Sequence, residues 1–363
     1  MGDTVHIVLA GLGALVVLAT GLSLVRGGYW WARLFDFPRQ QIAALGIAVL
    51  AVLLVDGHGS GAAEYALTGA LTLSVGYQAW CILPYTPLWR RQVLPAERPG
   101  PERRLSLLIA NVLMENRNAD GLLAIVRNAD PDLVLAMEPD GFWAGKLAAL
   151  DGAYPFSLKL PLDNTYGMML FSRLELRDAG FRFLLEEEVP SIRARIVLRS
   201  GRHAIPFYGV HPRPPSVLQD SSSRDAEILL VAKEIRERGD GPAVVAGDLN
   251  DVAWSHTTRL FQRISGLLDP RIGRGMYSSF HAKYPFLRWP LDHVFFADDF
   301  RLVRLERLPG FGSDHFPILI ELSYEPAGAD EQETPEPQDG DGREARERIE
   351  EGRRQAEEGD HWI

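Results

Sequence analysis

Val244-Val245-Ala246-Gly247-Asp248-Leu249-Asn250 is the stretch on which the reading of this 363-residue chain turns. Small apolar residues run into a glycine, and Asp248 and Asn250 then stand either side of one leucine. In a strand, side chains at i and i+2 share a face. The spacing predicts Asp248 and Asn250 projecting together from a strand end while Leu249 turns back into the core. A carboxylate beside a neutral amide can hold a hydrated divalent cation and still donate N–H to a phosphate oxygen. Gly-Asp-x-Asn also suits a strand that simply ends in an Asx-turn. The choice between these readings depends on the rest of the chain.

Working outward, Leu105–Ala110 is an apolar run long enough for a buried strand, with Asn111 at its end. Asn118 to Asn128 reads as a helix with Leu122, Leu123 and Val126 on one face. Leu133–Met137 is a second strand, closed by Glu138 and Pro139. Such a strand-helix-strand unit sets an amide and a carboxylate at adjacent strand ends, like a ligand site at a sheet rim. Gly167–Arg173 is a further strand, and Ile192–Leu198 with His203–Val210 makes a hairpin through Ser200-Gly201. That hairpin runs into His211-Pro212-Arg213-Pro214-Pro215, a histidine held at a strand end by prolines. A helix follows from Ser222 or Ser223 to Arg238, ended by Gly239. Beyond the opening stretch come a short helix from Ser255 or His256 and a strand entered at Asp292. Gly312-Ser313-Asp314-His315-Phe316-Pro317-Ile318 and a last strand through Leu322 close the series.

Charge divides the chain into three regimes. Residues 324–363 hold 14 acidic and 5 basic residues, so they supply nine of the ten net negative charges. Residues 101–323 hold 29 acidic and 27 basic ones, a balance that argues against the broad basic footprint of a nonspecific DNA binder. Cys81 is the only cysteine, which excludes an intrachain disulfide and a thiolate zinc cluster.

The first hundred residues are membrane-like. Val5–Val25, Ile42–Val55 and Ala66–Leu83 are three nearly charge-free runs, with Tyr29-Trp30-Trp31 between the first two and Trp80, Tyr85 and Trp89 near the third. Spans are expected at 5–25, 40–57 and 65–83 within a membrane region of residues 1–88. No Lys or Arg precedes Val5, and two more apolar runs follow, which disfavours a cleaved signal peptide. Arg26, Arg33 and Arg39 in the first loop, and Arg90, Arg91, Arg98, Arg103 and Arg104 after the third run, place the following domain in the cytoplasm by the positive-inside rule. Outside exposure follows instead if the short second run does not span. The proline-rich segment 89–103 reads as a semi-rigid basic linker resting on anionic headgroups. The tail, 324–363, is expected to be largely disordered, with a solvated helix over Glu344–Glu358.

Asn111, Glu138, His211, Gly247-Asp248-Leu249-Asn250, Asp292 and Ser313-Asp314-His315-Phe316-Pro317 resemble, in order, the motifs of the endonuclease/exonuclease/phosphatase superfamily. The resemblance covers residues 104–323, and its specificity lies in the conjunction of six elements. It implies an α/β (α+β) fold: a four-layer α/β/β/α sandwich of two packed mixed sheets, here preceded by transmembrane helices. It also implies Mg²⁺ or Mn²⁺ held by Glu138, less directly by Asn111, with Asp314 on the metal side. His315 becomes general base or electrostatic partner, oriented by Asp292. Asp248 positions the attacking water, Asn250 binds phosphoryl oxygens, and His211 serves as phosphate ligand or leaving-group acid. Leu113 stands where nucleases of the family often carry a carboxylate, which tilts the reading from abasic-site nucleases.

The expected activity is a membrane-anchored, divalent-metal-dependent phosphoesterase acting on a phosphate ester or pyrophosphate, lipid-linked by virtue of the anchor. Membrane lipids are its expected partners, in a bacterial-type inner membrane. A membrane-tethered DNA or RNA nuclease is the alternative, and a silent scaffold a remote one. Arg213 is expected to bind substrate, with Arg193, Arg195, Arg199 and Arg202 clustering around His211.

Overall fold

The computed structural model describes residues 3–25, 28–56, 61–214, 220–239 and 241–359. Pro215 of the proline-locked turn, Arg26 of the first loop, residues 57–60 and the end of the tail lie outside the described residues.

Four helices come first: α1 (Asp3–Leu22), α2 (Trp30–Arg33), α3 (Arg39–Asp56) and α4 (Ala62–Ile82). Strand β1 (Arg104–Asn111), α5 (Ala119–Ala129), β2 (Leu133–Met137) and α6 (Gly141–Leu147) follow. Then come β3 (Phe156–Leu160), β4 (Met168–Ser172), β5 (Leu176–Phe183), β6 (Pro190–Val197) and β7 (Ala204–Gly209). The chain continues with α7 (Ser222–Glu237), β8 (Val244–Asp248), α8 (His256–Ser265), β9 (Asp292–Phe296), β10 (Phe300–Arg307), β11 (Ile318–Tyr324) and α9 (Asp341–Gly359). The strands form two mixed sheets, ordered β10-β11-β1-β2-β4-β3 and β5-β6-β7-β8-β9.

Alternation along the strands decides which face meets which layer. Leu107 and Ile109 of β1 and Val244 and Ala246 of β8 point into the space between the sheets. Leu108 and Ala110 point outward beneath α5 and α6, and Val245 outward beneath α7 and α8. The result is the four-layer sandwich expected from the sequence.

Each sheet contains one parallel pair, β1 with β2 and β7 with β8. The crossover helices α5 and α7 carry the chain back, so both pairs deliver their C-terminal ends to the same edge of the sandwich. Gly247 permits the tight end of the second pair. Its φ is +147°, and a Cβ there would lie 1.9 Å from the Val210 carbonyl oxygen.

The long N-terminal helices pack around Val16, Ala19, Ile42, Val49 and Leu71. Gly46 makes this approach possible, since a Cβ would meet Val75 Cγ2 at 2.7 Å. Two segments, Thr4–Leu22 and Ala62–Tyr85, are long and apolar enough to cross a membrane; Arg39–Val55 is shorter. Ile7, Leu18, Ile47, Leu54 and Leu73 are exposed on the outside of this bundle.

Three expectations are corrected. The tail is not largely disordered: α9 lies along α7, with Ala345 and Ile349 buried in the core beneath it. Arg348 reaches Asp225 at 2.8 Å, and Asp341 takes both ends of the Arg263 guanidinium. Average composition hid this because Arg and Glu flank a narrow apolar stripe. The linker does not rest free: Val93 is fully buried, and Ala96 N donates to Leu302 O at 2.9 Å. Arg33 and Arg39, counted above as topogenic charges, are buried against Asp36, and Arg33 also pairs with Asp225 at 2.8 Å.

Gly247→Ala should destabilise the domain by about 3 kcal/mol, since left-handed strain adds to the overlap with Val210. The unfolding midpoint of the detergent-solubilised variant checks this. An unchanged midpoint would show that β7 and β8 do not approach so closely.

Candidate active site

The two parallel pairs and β9 bring their polar ends together at one edge. Asn111 closes β1, level with Met137 of β2, and Glu138 follows immediately at φ +63°. Asp248 ends β8 and stands directly opposite Asp292, the first residue of antiparallel β9. His211 lies two residues beyond β7. His315 enters from the loop before β11, where Ser313 Oγ donates to Asn111 O and accepts from His315 N.

Asn111 Nδ2 donates to Glu138 Oε1 at 2.7 Å and to Asp248 Oδ2 at 3.3 Å, so the amide joins the two sheets. His315 Nδ1 meets Asp292 Oδ2 at 2.7 Å, and its Nε2 faces Asp248 Oδ2 at 3.5 Å. Asn250 has φ +50°, and its N–H donates to Asp248 Oδ1. The stretch Val244–Asn250 is therefore both an Asx-turn and part of the site, with Leu249 fully buried behind it. Asn250 Nδ2 also donates to Pro212 O at 3.0 Å, which fixes the loop carrying His211.

Like charges directly opposite on neighbouring strands are destabilising unless something lies between them. His315 is that group. Burial works to lower its pKa, but the Asp292 and Asp248 carboxylates outweigh it and push the ring up to about 10. His211 moves the other way. Burial, with the charge of His315 added, lowers it to about 4. Burial raises both Glu138 and Asp248, opposed for Glu138 by the Asn111 hydrogen bond and for Asp248 by His315.

These residues fit a divalent cation. Asp292 Oδ1 is buried without a hydrogen-bond partner, and so is His211 Nδ1. Carboxylate oxygens dominate, as hard cations require. Asp248, Asp292 and His315 each offer a ligand atom within 4.8 Å of the others. Glu138 adds a fourth donor beside Asn111. The sequence placed the metal on Glu138, Asn111 and Asp314. In the structure Asn111 presents its N–H₂ to the carboxylates and its Oδ1 to Leu113 N, so it positions ligands. Asp314 lies at the rim, close enough to raise the pKa of both Glu138 and His315.

The expected arginines separate: Arg213 stays beside His211, whose ring lies 6.0 Å from that of Tyr166, and the strand arginines do not. Arg213 is tied to Glu186 at 2.6 Å and covers Tyr166. Arg193 pairs with Glu234, Arg195 with Asp178 and Arg199 with Asp132, so they do not cluster at His211. Arg193 and Arg195 share one face of β6 and Arg199 lies beyond its end, and each is held by a different carboxylate.

Several supporting residues carried no readable signal. Arg224 Nη1 donates to Asn250 O at 2.8 Å from α7, and Ser279 Oγ accepts from Asp292 N. The Phe280 ring lies 5.0 Å from that of His315. Neither Arg224 nor Phe280 sits in a motif; only the fold brings them to the site.

A family model described as Endonuclease/Exonuclease/phosphatase family matches residues 108–315. No curated protein matches the sequence. Among solved structures, TDP2 of D. rerio complexed with single strand DNA product is 17% identical, covering 61% of this chain and 99% of that one at a TM-score of 0.50. A mannosyl-6-phosphatase of Bacteroides thetaiotaomicron is also 17% identical, with 61% and 100% covered and a TM-score of 0.47. At 17% identity the likeness to TDP2 is one of fold.

Because the His315 pKa is raised from about 6.5 to about 10, its pairing stabilises the metal-free protein fully below pH 6.5. That contribution is lost as pH rises through about 10. Asp292→Asn removes the hydrogen-bonded partner and should flatten this alkaline fall in the denaturant midpoint. A variant whose pH profile parallels the parent's would sink the pairing.

Proposed function

The chain belongs to the endonuclease/exonuclease/phosphatase family, whose members are metal-dependent phosphoesterases and nucleases, and on that premise we propose a membrane-anchored hydrolase of lipid-linked phosphate. The substrate is a phosphate monoester or pyrophosphate at the bilayer surface. One observation carries this reading: the site is built against the N-terminal helices. Phe37, just before α3, and Tyr85, just after α4, pack into one apolar cluster with Trp254, Phe280 and Trp289. Trp254 Nε1 donates to Asp36 O at 2.7 Å, and Tyr85 OH donates to Ala253 O at 2.5 Å. A domain fixed in this way works within reach of headgroups and does not swing on a free linker.

The chemistry follows from the side chains. A divalent cation, Mg²⁺ or Mn²⁺, bound among Glu138, Asp248 and Asp292 would neutralise phosphoryl charge and polarise the P–O bond. Asp248 Oδ1 is occupied by Asn250 N–H, while Oδ2 has only long contacts, so Oδ2 is the atom that orients the attacking water. His315 Nδ1 is hydrogen-bonded to Asp292, which leaves Nε2, facing Asp248 Oδ2, as the ring nitrogen that holds or moves a proton at the site. Burial lowers the His211 pKa to about 4, which favours its role as phosphate ligand over that of leaving-group acid. His211 Nδ1 is free to meet a phosphoryl oxygen as a neutral donor. The arginines Arg90, Arg91, Arg98, Arg103 and Arg104 favour a cytoplasmic domain.

Purified full-length protein with Mg²⁺ or Mn²⁺ should release phosphate from detergent-solubilised lipid phosphates. Asp248→Ala and His315→Ala should each lower kcat about a thousandfold. Circular dichroism checks that the fold survives. Efficient cleavage of plasmid or single-stranded DNA, with no turnover of lipid phosphates, would replace this reading with the nuclease one. Full activity in either variant would refute the assigned roles.

A further inference from the structure

The segment after Phe280 exposes apolar side chains that no other described part of the domain covers. Tyr284 is 57% exposed, Phe286 87% and Leu287 47%. This is a built tip and not a loose coil. Phe280 N donates to Trp289 O, His281 N to Leu287 O and Leu287 N to Tyr284 O, which closes a narrow loop. The Trp289 side of the loop packs edge-on against Phe37 at 5.7 Å between ring centroids. Gln41, in the first turn of α3, donates through Nε2 to Phe286 O at 2.6 Å. The tip is therefore level with the domain-side end of an apolar helix whose outer surface is itself exposed.

The other end of the loop touches the catalytic residues. Ala282 N donates to Asp314 O at 2.6 Å, and the Phe280 ring covers His315. Basic groups border the apolar tip: Lys283 precedes it and is exposed, Arg288 follows it, and Arg288 and Arg307 stack on Phe316, next to His315, at 5.0 and 4.6 Å. Aromatic residues beyond a basic collar match the layering of a bilayer, with acyl chains beneath anionic headgroups.

We infer that Tyr284–Leu287 dips into the membrane interface beside α3 and admits the phosphate of a lipid to the site while its tail stays in the bilayer. This rests on the membrane-anchored reading above and sharpens it, because it makes lipid delivery a property of one loop. Phe286 and Leu287 contact none of the catalytic residues, so their loss should spare chemistry on a soluble phosphoester.

The test uses full-length protein in phosphatidylcholine–phosphatidylglycerol vesicles carrying phosphatidate or a long-chain polyprenyl pyrophosphate, with p-nitrophenyl phosphate as the soluble substrate. The double variant Phe286→Ser/Leu287→Ser should lose about tenfold or more in kcat/KM on the vesicle lipids, given the apolar area withdrawn. It should keep its rate on p-nitrophenyl phosphate. Phe286→Trp alone should retain lipid activity. A spin label on Leu287→Cys, in a Cys81→Ala background, should lie below the headgroup phosphates by relaxation contrast. Undiminished lipid turnover in the double variant, an equal loss on both substrates, or a water-exposed label overturns the inference and leaves the lipid phosphatase reading standing. A parent protein that cuts DNA but neither lipid overturns both.

Discussion

One buried carboxylate, Asp225, holds three parts of the chain in register. One of its oxygens accepts from Arg33 of α2, Arg348 of α9 and the Thr257 hydroxyl, each at 2.8 Å, while Arg224 forks onto the other. Burial alone would raise its pKa, yet the surrounding guanidinium groups hold it well below the usual carboxylate range. Removing one member of such a group leaves the others buried and unpaired, a cost of about 3–5 kcal/mol. The N-terminal helices, the catalytic domain and the tail thus share one electrostatic node. Arg224 extends that node to the site, since its other end holds Asn250 O.

The site itself shows the opposite imbalance. Around Asp225 cations outnumber the anion; at the strand ends Glu138, Asp248 and Asp292 converge with His315 as the cation between them. The first arrangement is complete within the protein and is structural. The second keeps an unpartnered Asp292 oxygen and two carboxylates with raised pKa, so it is complete only with a ligand. Buried charge of one sign, left uncompensated by the fold, separates a site from a staple.

The difference also explains what was legible in the sequence. Asn111, Glu138, His211, Asp248, Asp292 and His315 were readable because each stands at or near the start or end of a strand, where an apolar run meets a polar residue. The period of a strand then fixes which side chains point to the shared edge. The node at Asp225 was not readable. Arg33 lies 192 residues from Asp225, and Arg348 lies 123 away. Arginine in a loop and in an acidic tail looks the same in sequence whether it ends in solvent or in a core. The aromatic loop Phe280–Trp289 was missed for a similar reason: it has no periodicity, and its position comes entirely from neighbours at Phe37 and His315.

The tail takes this argument one step further. Its helix reaches α7 along Ala345, Ile349 and Gly352, a small and apolar stripe between charged residues. At Gly352 a Cβ would lie 2.4 Å from Ala226 Cβ, so the glycine sets how close the helices come. Ser223 N and Asp220 O are then met by Gln355 at the start of α7. That same helix start meets the N-terminal region, where Ser221 N donates to Gly28 O and Asp220 accepts from Trp30 N. The N-terminus of α7 is thus clamped from both sides, by residues from the two ends of the chain. Because α7 leads directly into β8, the clamp fixes the strand that ends at Asp248. The orientation of the catalytic edge toward the membrane-like helices follows from how α7 is held.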